Sequence, residues 1–253
     1  MHTSLRSASV LLALCAAFVG NASAQSAAQA AAASTAQAGP YAAAINSPIR
    51  NGDDRKDDDH RKPAEFLAFA QVKPGMKAFD LVSAGGSTAT LLTAAVGPKG
   101  EVWAQNPKPN TKLSERLADN TVPNLHAVVS GFDDPIPKGT PPLDLITINM
   151  NYHDIVNTPT DRAAMDKHLF DALKPGGHLV IVDNAAKKGS GLSATKTLHR
   201  IDEDSVVEEL THAGFKIDAK SDYLRAPSDP RDQPFFKMNG APDDKFAIRF
   251  VKP

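Results

Sequence analysis

From residue 76 onward, short apolar runs alternate with longer segments whose apolar side chains recur at helical spacing. The first run, residues 76–82, ends in the small residues Ser83-Ala84-Gly85-Gly86, and a helical pattern follows to about Ala95, where Gly97-Pro98-Lys99-Gly100 stops it. Ahead of it, residues 61–70 read as a helix entered near Pro63. Residues 101–105, 125–129 and 143–150 predict three further strands, with a modest helix to about Asp119 after the first of them. Thr158-Pro159 predicts the opening of a helix that turns Leu169, Phe170 and Leu173 inward and ends at Lys174-Pro175-Gly176-Gly177. Residues 178–183 are almost wholly apolar, as expected of a strand covered on both faces. Beyond a polar loop over 184–200, Ser205 and Glu208 have capping-box spacing for a helix reaching Gly214. Residues 215–219 form a sixth strand. After a Pro-rich insertion at 226–243, Phe246, Ile248 and Phe250 alternate with Ala247, Arg249 and Val251 in a seventh.

This alternation predicts an α/β fold with a doubly wound, seven-stranded, mostly parallel sheet and right-handed crossovers. Strands six and seven are joined only by a loop, so strand seven is expected to run antiparallel beside strand six. Ligands of such sheets bind outside the carboxyl ends of the strands where the order reverses, here strands one and four. The 83–86 turn suits that place, because small residues let backbone approach a ligand and the first amides of the next helix favour an anionic group. A tight strand–helix turn also asks for glycine without any ligand.

The composition narrows the setting. Of 253 residues with a formal charge of −1, those before about residue 48 are Ala/Ser/Gln-rich and those after it are an ordinary globular mixture. Residues 1–24 read as a secretory signal: His2 and Arg6, an apolar centre over 10–19, and Ala22-Ser23-Ala24 before Gln25. Residues 25–48 read as a flexible low-complexity leader, and 49–253 as one domain. A periplasmic or secreted protein is expected, without stable membrane insertion once the signal is cleaved. Cys15 lies inside the signal, so the mature chain carries no thiol or disulfide chemistry. The near-neutral charge offers no field for nucleic acid, and the mixed-sign cluster at 50–62 reads as a solvated helical face.

A set of motifs in fixed order then adds chemistry. It comprises Val72-Lys73-Pro74-Gly75-Met76 ahead of Asp80-Leu81, the Gly85-Gly86 turn, Phe132-Asp133-Asp134-Pro135 and Asn149-Met150-Asn151-Tyr152-His153-Asp154. Leu173-Lys174-Pro175-Gly176-Gly177, Thr195 to Asp202 and the closing strand complete it. Over nearly all of 49–253 this series resembles the class I S-adenosylmethionine-dependent methyltransferases, in particular an exported bacterial branch. The resemblance implies S-adenosyl-L-methionine as cofactor and a small-molecule methyl acceptor. It assigns Asp80, Ser83, Ala84, Gly85, Gly86, Gln105, Asp133, Asn149 and Asn151 to the cofactor side, with Asp133 at the adenine amino group. Val82 and Ala84 stand where the family pattern has its first two turn glycines, and Gln105 stands for the acid that usually holds the ribose.

His153, just past strand four, is the candidate base for an O or N nucleophile, and Tyr152 is placed with it at the acceptor pocket. His199 and Arg200 are weaker candidates from the crossing loop. The remaining histidines are scattered without ligand spacing, so no metal is expected. Three other readings stay open. A catechol-type magnesium site at Asp183-Asn184 would have to use Asn149 as well, giving one carboxylate and two amides. A nicotinamide oxidoreductase lacks both its glycine fingerprint and its acid after strand two. An exported, non-catalytic binder could retain the same scaffold.

Overall fold

The computed structural model describes residues 39–119 and 122–253. The signal sequence assigned to 1–24, with Cys15, and most of the leader lie outside the described residues. No helix among them is long and apolar enough to cross a membrane.

Seven strands form one sheet in the order β3-β2-β1-β4-β5-β7-β6. The strands are β1 (Lys77–Leu81), β2 (Glu101–Asn106), β3 (Leu125–Val129), β4 (Leu143–Asn149), β5 (Leu173–Asn184), β6 (Lys216–Ser221) and β7 (Lys245–Val251). The first five pair in parallel, and β7 runs antiparallel between β5 and β6. The expected neighbour of β7 is therefore present, together with a second on its other edge.

Alternation along the strands divides the core into two. Phe79, Leu81, Ile146, Ile148, Leu179 and Ile181 face one way, towards α8 (Arg162–Ala172) and α10 (Glu203–His212). Ala78, Val102, Ala104, Leu145, Val180 and Val182 face the other, towards α4 (Pro63–Phe69) and α5 (Ser87–Val96). Each fully buried Leu, Ile, Val or Phe contributes roughly 1.5–3 kcal/mol, which is why both faces of the sheet are covered.

Several expected boundaries move. The helix expected to open at Thr158-Pro159 starts at Arg162, where Asp161 accepts from the Ala164 amide (3.0 Å). Asp202 rather than Ser205 caps α10. The Lys174–Gly177 stretch is the irregular start of β5, with Gly176 at φ +76°. The domain also begins earlier than residue 49: α1 (Ala42–Ile45) packs Ala44 into the second core and the Tyr41 hydroxyl donates to the Val72 carbonyl (3.0 Å).

The charged stretch at 50–62 is largely solvent-exposed, as its mixed signs lead one to expect, apart from two buried side chains. It forms α2 (Gly52–Lys56) and α3 (Asp58–Arg61); Asp54 in α2 and Arg50 just ahead of it are buried. Asp54 takes a two-pronged ion pair from Arg116 on α6 (Thr111–Asp119), at 2.6 and 3.0 Å, while Arg116 Nε donates to the Gly85 carbonyl (2.9 Å). The segment thus grips the β1–α5 turn from outside.

Candidate functional site

A cavity of about 670 Å³ opens over the carboxyl ends of β1 and β4, within the size range of small-molecule sites. Its floor is the β1–α5 turn (Val82 to Gly85, Ser87, Thr88) and the β4 exit (Asn149 to Asn151). Asp57, His60 and Arg61 of the N-terminal helices form one wall, and Phe235, Phe236 and Lys245 another. His153, Asp154 and His199 also line the cavity, as do Leu224 and the 240–243 stretch.

Four lining residues that are not glycine hold positive φ: Val82 (+57°), Ala84 (+49°), Met150 (+67°) and His199 (+52°). The left-handed region costs an L-residue about 1–2 kcal/mol, so the strain concentrates where the cavity is. At the turn it is held by amide side chains. Val82 N–H donates to Gln105 Oε1 (3.1 Å), and Asn151 Nδ2 donates to the Val82 carbonyl (3.1 Å). Ala84 N–H donates to Asn106 Oδ1 (2.9 Å), and Asn106 Nδ2 donates back to the Ala84 carbonyl (3.1 Å). Val82 lines the cavity without filling it.

The structure separates the residues assigned from sequence. Ser83, Ala84, Gly85, Asn149, Asn151 and His153 meet at the cavity; Asp80, Gly86, Gln105, Asp133 and Tyr152 do not line it. Asp80 is buried below the turn and accepts from Thr147 Oγ1 (2.7 Å). Burial pushes its carboxyl up to about 6, against the opposing pull of the Thr147 and Ser83 hydroxyls. Gly86 is required at φ +85°, where a Cβ would come within 2.7 Å of Leu113 Cδ1; its role is packing against α6. Gln105 is fully buried, spending its oxygen on Val82 and its nitrogen on the Ser130 carbonyl (2.7 Å). Asp133 is exposed and accepts from the Asp161 amide.

Tyr152 points into the opposite core and donates to Glu209 Oε2 (2.8 Å). Burial, then the charges of Asp166 and Glu209, push its hydroxyl well above the ordinary range. It is a structural residue of α7 (Tyr152–Ile155), the short helix that turns the next residue, His153, to the cavity.

His153 is almost completely buried, with Nδ1 2.6 Å from Asp183 Oδ1 and its backbone amide donating to Asp183 Oδ2 (2.8 Å). Asp183 also accepts from the Asn184 amide (2.8 Å), so its carboxylate serves the imidazole and neighbouring backbone rather than a magnesium ion. Burial lowers the His153 affinity for a proton, but the Asp183 hydrogen bond and the charges of Asp183 and Asp154 outweigh it and raise the pKa. Nε2 is left facing Asp154 Oδ1 at 3.4 Å. His199 Nδ1 approaches the same oxygen at 3.4 Å. The scatter of histidines in sequence therefore conceals a spatial grouping of His153, Asp154 and His199. Arg200, by contrast, is fully buried and pairs with Asp229 (2.8 Å), away from the cavity lining.

Sequence reasoning missed Asp57, His60, Arg61 and Lys245. The only available signal was the charge cluster of 50–62, which has no periodicity that aims it at a distant turn.

The Ser83 hydroxyl is buried at the cavity edge, near enough to Asp80 to act on its carboxyl but in no well-formed hydrogen bond among the described residues. With Ser87, Thr88, the Asn149 amide and the Arg61 cation, it suits the charged amino-acid end of S-adenosylmethionine. The adenosine end finds less, because Gln105, Asn106 and Asp133 are each committed within the protein.

No family model matches the chain. Among curated proteins it is similar to the ubiquinone/menaquinone biosynthesis C-methyltransferase UbiE of Xanthomonas axonopodis pv. citri, 30% identical over 126 residues, 47% of this chain and 46% of the relative. The same enzyme of Laribacter hongkongensis is 30% identical over 119 residues, 46% of each chain. The chain thus spans less than half the length of these curated relatives. Among solved structures, a SAM-dependent methyltransferase from Aquifex aeolicus aligns with TM-score 0.58 at 18% identity, covering 78% of this chain and 93% of that one. Aeropyrum pernix fibrillarin with natively bound S-adenosyl-L-methionine aligns at 0.50 and 18%, covering 74% of both chains. The fold is that of the class I S-adenosylmethionine-dependent methyltransferases.

Proposed function

We propose that the protein is an S-adenosylmethionine-dependent methyltransferase acting on a small-molecule acceptor. The observation that carries this reading is the cavity itself, open at the β1/β4 switch point of a methyltransferase-fold sheet and lined by the strained turn, Ser83, Asn149 and His153. The cofactor, when bound, supplies a methyl group activated by its sulfonium. The chain supplies alignment and a proton acceptor. Ser83, Thr88 and Asn149 at the floor and Arg61 from the wall would hold the cofactor's charged end. Asp183 fixes the His153 tautomer with Nδ1 protonated, leaving Nε2 as the basic atom towards the acceptor. Phe235 and Phe236 give that side an apolar, aromatic wall, which favours an acceptor with an apolar ring or chain.

Calorimetric titration of the full chain with S-adenosylmethionine and S-adenosylhomocysteine tests the reading. Heat of binding for both, weakened at least tenfold by Ser83→Ala combined with Asn149→Ala, supports it. Silence at millimolar ligand eliminates it.

We also propose export, on the charge, apolar centre and Ala-x-Ala pattern of the first 24 residues. Mature protein from the native cell should begin at Gln25, and an intact Met1 would refute this.

A further inference from the structure

We infer that His153, Asp154 and His199 form a binding site for one divalent first-row transition metal ion of the zinc type. The three donor atoms all lie within 4.8 Å of one another, on the lining of the cavity. Zinc bonds of about 2.0–2.1 Å in a tetrahedron set neighbouring donors about 3.3 Å apart. Asp154 Oδ1 is 3.4 Å from His153 Nε2 and 3.4 Å from His199 Nδ1. These contacts are long for hydrogen bonds, yet they match the edge of a coordination polyhedron. The two imidazoles stand nearly perpendicular, at 87° with centroids 5.5 Å apart, so the rings do not stack while the donor atoms stay within 4.8 Å of one another.

The outer shell is also present. His153 gives its other ring nitrogen to the buried Asp183 carboxylate at 2.6 Å, the arrangement that orients a metal-bound imidazole and raises its basicity. Asn184 Nδ2 donates to the His199 carbonyl (3.2 Å), and the Phe236 ring meets the His199 ring nearly edge-on, at 69°. His199 keeps its left-handed backbone in that setting. Two imidazoles and one carboxylate favour a transition metal over magnesium or calcium, which prefer oxygen donors alone. At least one coordination position is left on the cavity side, suited to a hydroxyl or carboxylate oxygen of a bound ligand.

The inference goes beyond methyl transfer and needs no cofactor for its test. An ion would occupy the Nε2 lone pair that otherwise accepts a proton, so base action and metal binding are alternative states of one atom. The full chain, stripped with a chelator, is titrated with Co²⁺ by visible absorption and with Zn²⁺ by calorimetry. The expected result is one ion per chain, ligand-field bands of low-coordinate Co²⁺, and Zn²⁺ displacing Co²⁺. His199→Ala and Asp154→Asn, both at partly exposed side chains that leave the core intact, should each weaken Zn²⁺ at least tenfold. Asp183→Asn should weaken it 10–100-fold by way of His153, while exposed His212→Ala leaves it unchanged. Absence of the bands and of heat, or affinity unaltered in both His199→Ala and Asp154→Asn, overturns the proposal. Neither result bears on cofactor binding, which is measured separately.

Discussion

The most informative residues are the ones that break a local rule. Val82, a β-branched side chain, sits at φ +57° where glycine would be free of strain. Gln105 and Asn151 meet its N–H and C=O, and Asn106 meets both groups of Ala84. The end of β2 therefore supports the turn, a duty distinct from the ribose contact that the family resemblance implies for Gln105. Gln105→Ala leaves the Val82 amide and the Ser130 carbonyl without their side-chain partner and should destabilise the fold by about 2–4 kcal/mol in urea unfolding. A ribose-contact role would instead show as weaker cofactor binding at unchanged stability. Asp80 gives a second test. Its carboxyl titrates near 6 in the fold against an ordinary 3.8, so the native state binds the proton more tightly than the unfolded chain. The Asp80 contribution to stability consequently falls as pH rises through 3.8 to 6 and stays low above that window. Asp80→Asn, which cannot ionise, should gain on the parent by about 2 kcal/mol between pH 4 and pH 7.5 in paired denaturation curves. A gap independent of pH would contradict the buried-acid reading.

At the scale of elements, the wall over 226–243 is held by charge rather than by regular structure. Arg200 and Asp229 form a fully buried pair. Asp229 also accepts from the Asp244 amide (2.7 Å), and Asp244 pairs with Arg231 (2.6 Å) and Arg225 (3.3 Å). Burial alone would raise the Asp229 carboxyl, but those amides and Arg200 hold it below the usual range. Asp229→Ala strands a buried guanidinium and should cost roughly 3–5 kcal/mol. Limited proteolysis should then cut within 226–243 well before the sheet, and a cleavage pattern equal to the parent's would refute the anchoring. None of this was legible in the sequence, because the partners lie 29 and 15 residues apart in irregular chain and carry no period. The strands were legible for the opposite reason. Their apolar runs and the alternation of β7 report directly which faces are buried, and the shifts fell at element ends: the start of β5, and the capped starts of α8 and α10, where Asp161 and Asp202 took the role expected of nearby residues.

The whole molecule repeats that division. The doubly wound sheet, its reversal at β1 and β4 and the position of the cavity follow from alternation and the switch-point rule, which require only pattern and handedness, whereas the insertion of β7 between β5 and β6 does not. The identity of the lining depends on side-chain direction after short turns. Tyr152 and His153 are neighbours, yet α7 sends one into the core and the other to the cavity, a distinction beyond the reach of motif order. The wall from Asp57, His60 and Arg61 likewise needs the Asp54–Arg116 clamp to bring it over β1. The central claim is that this one cavity receives the cofactor. Hydrogen–deuterium exchange of the full chain, read by mass spectrometry with and without saturating S-adenosylhomocysteine, tests it most directly. Slowed exchange is expected in peptides covering 82–88 and 149–155, with β6 itself unchanged. Protection confined to other segments, or none at a ligand concentration that saturates calorimetry, would contradict it.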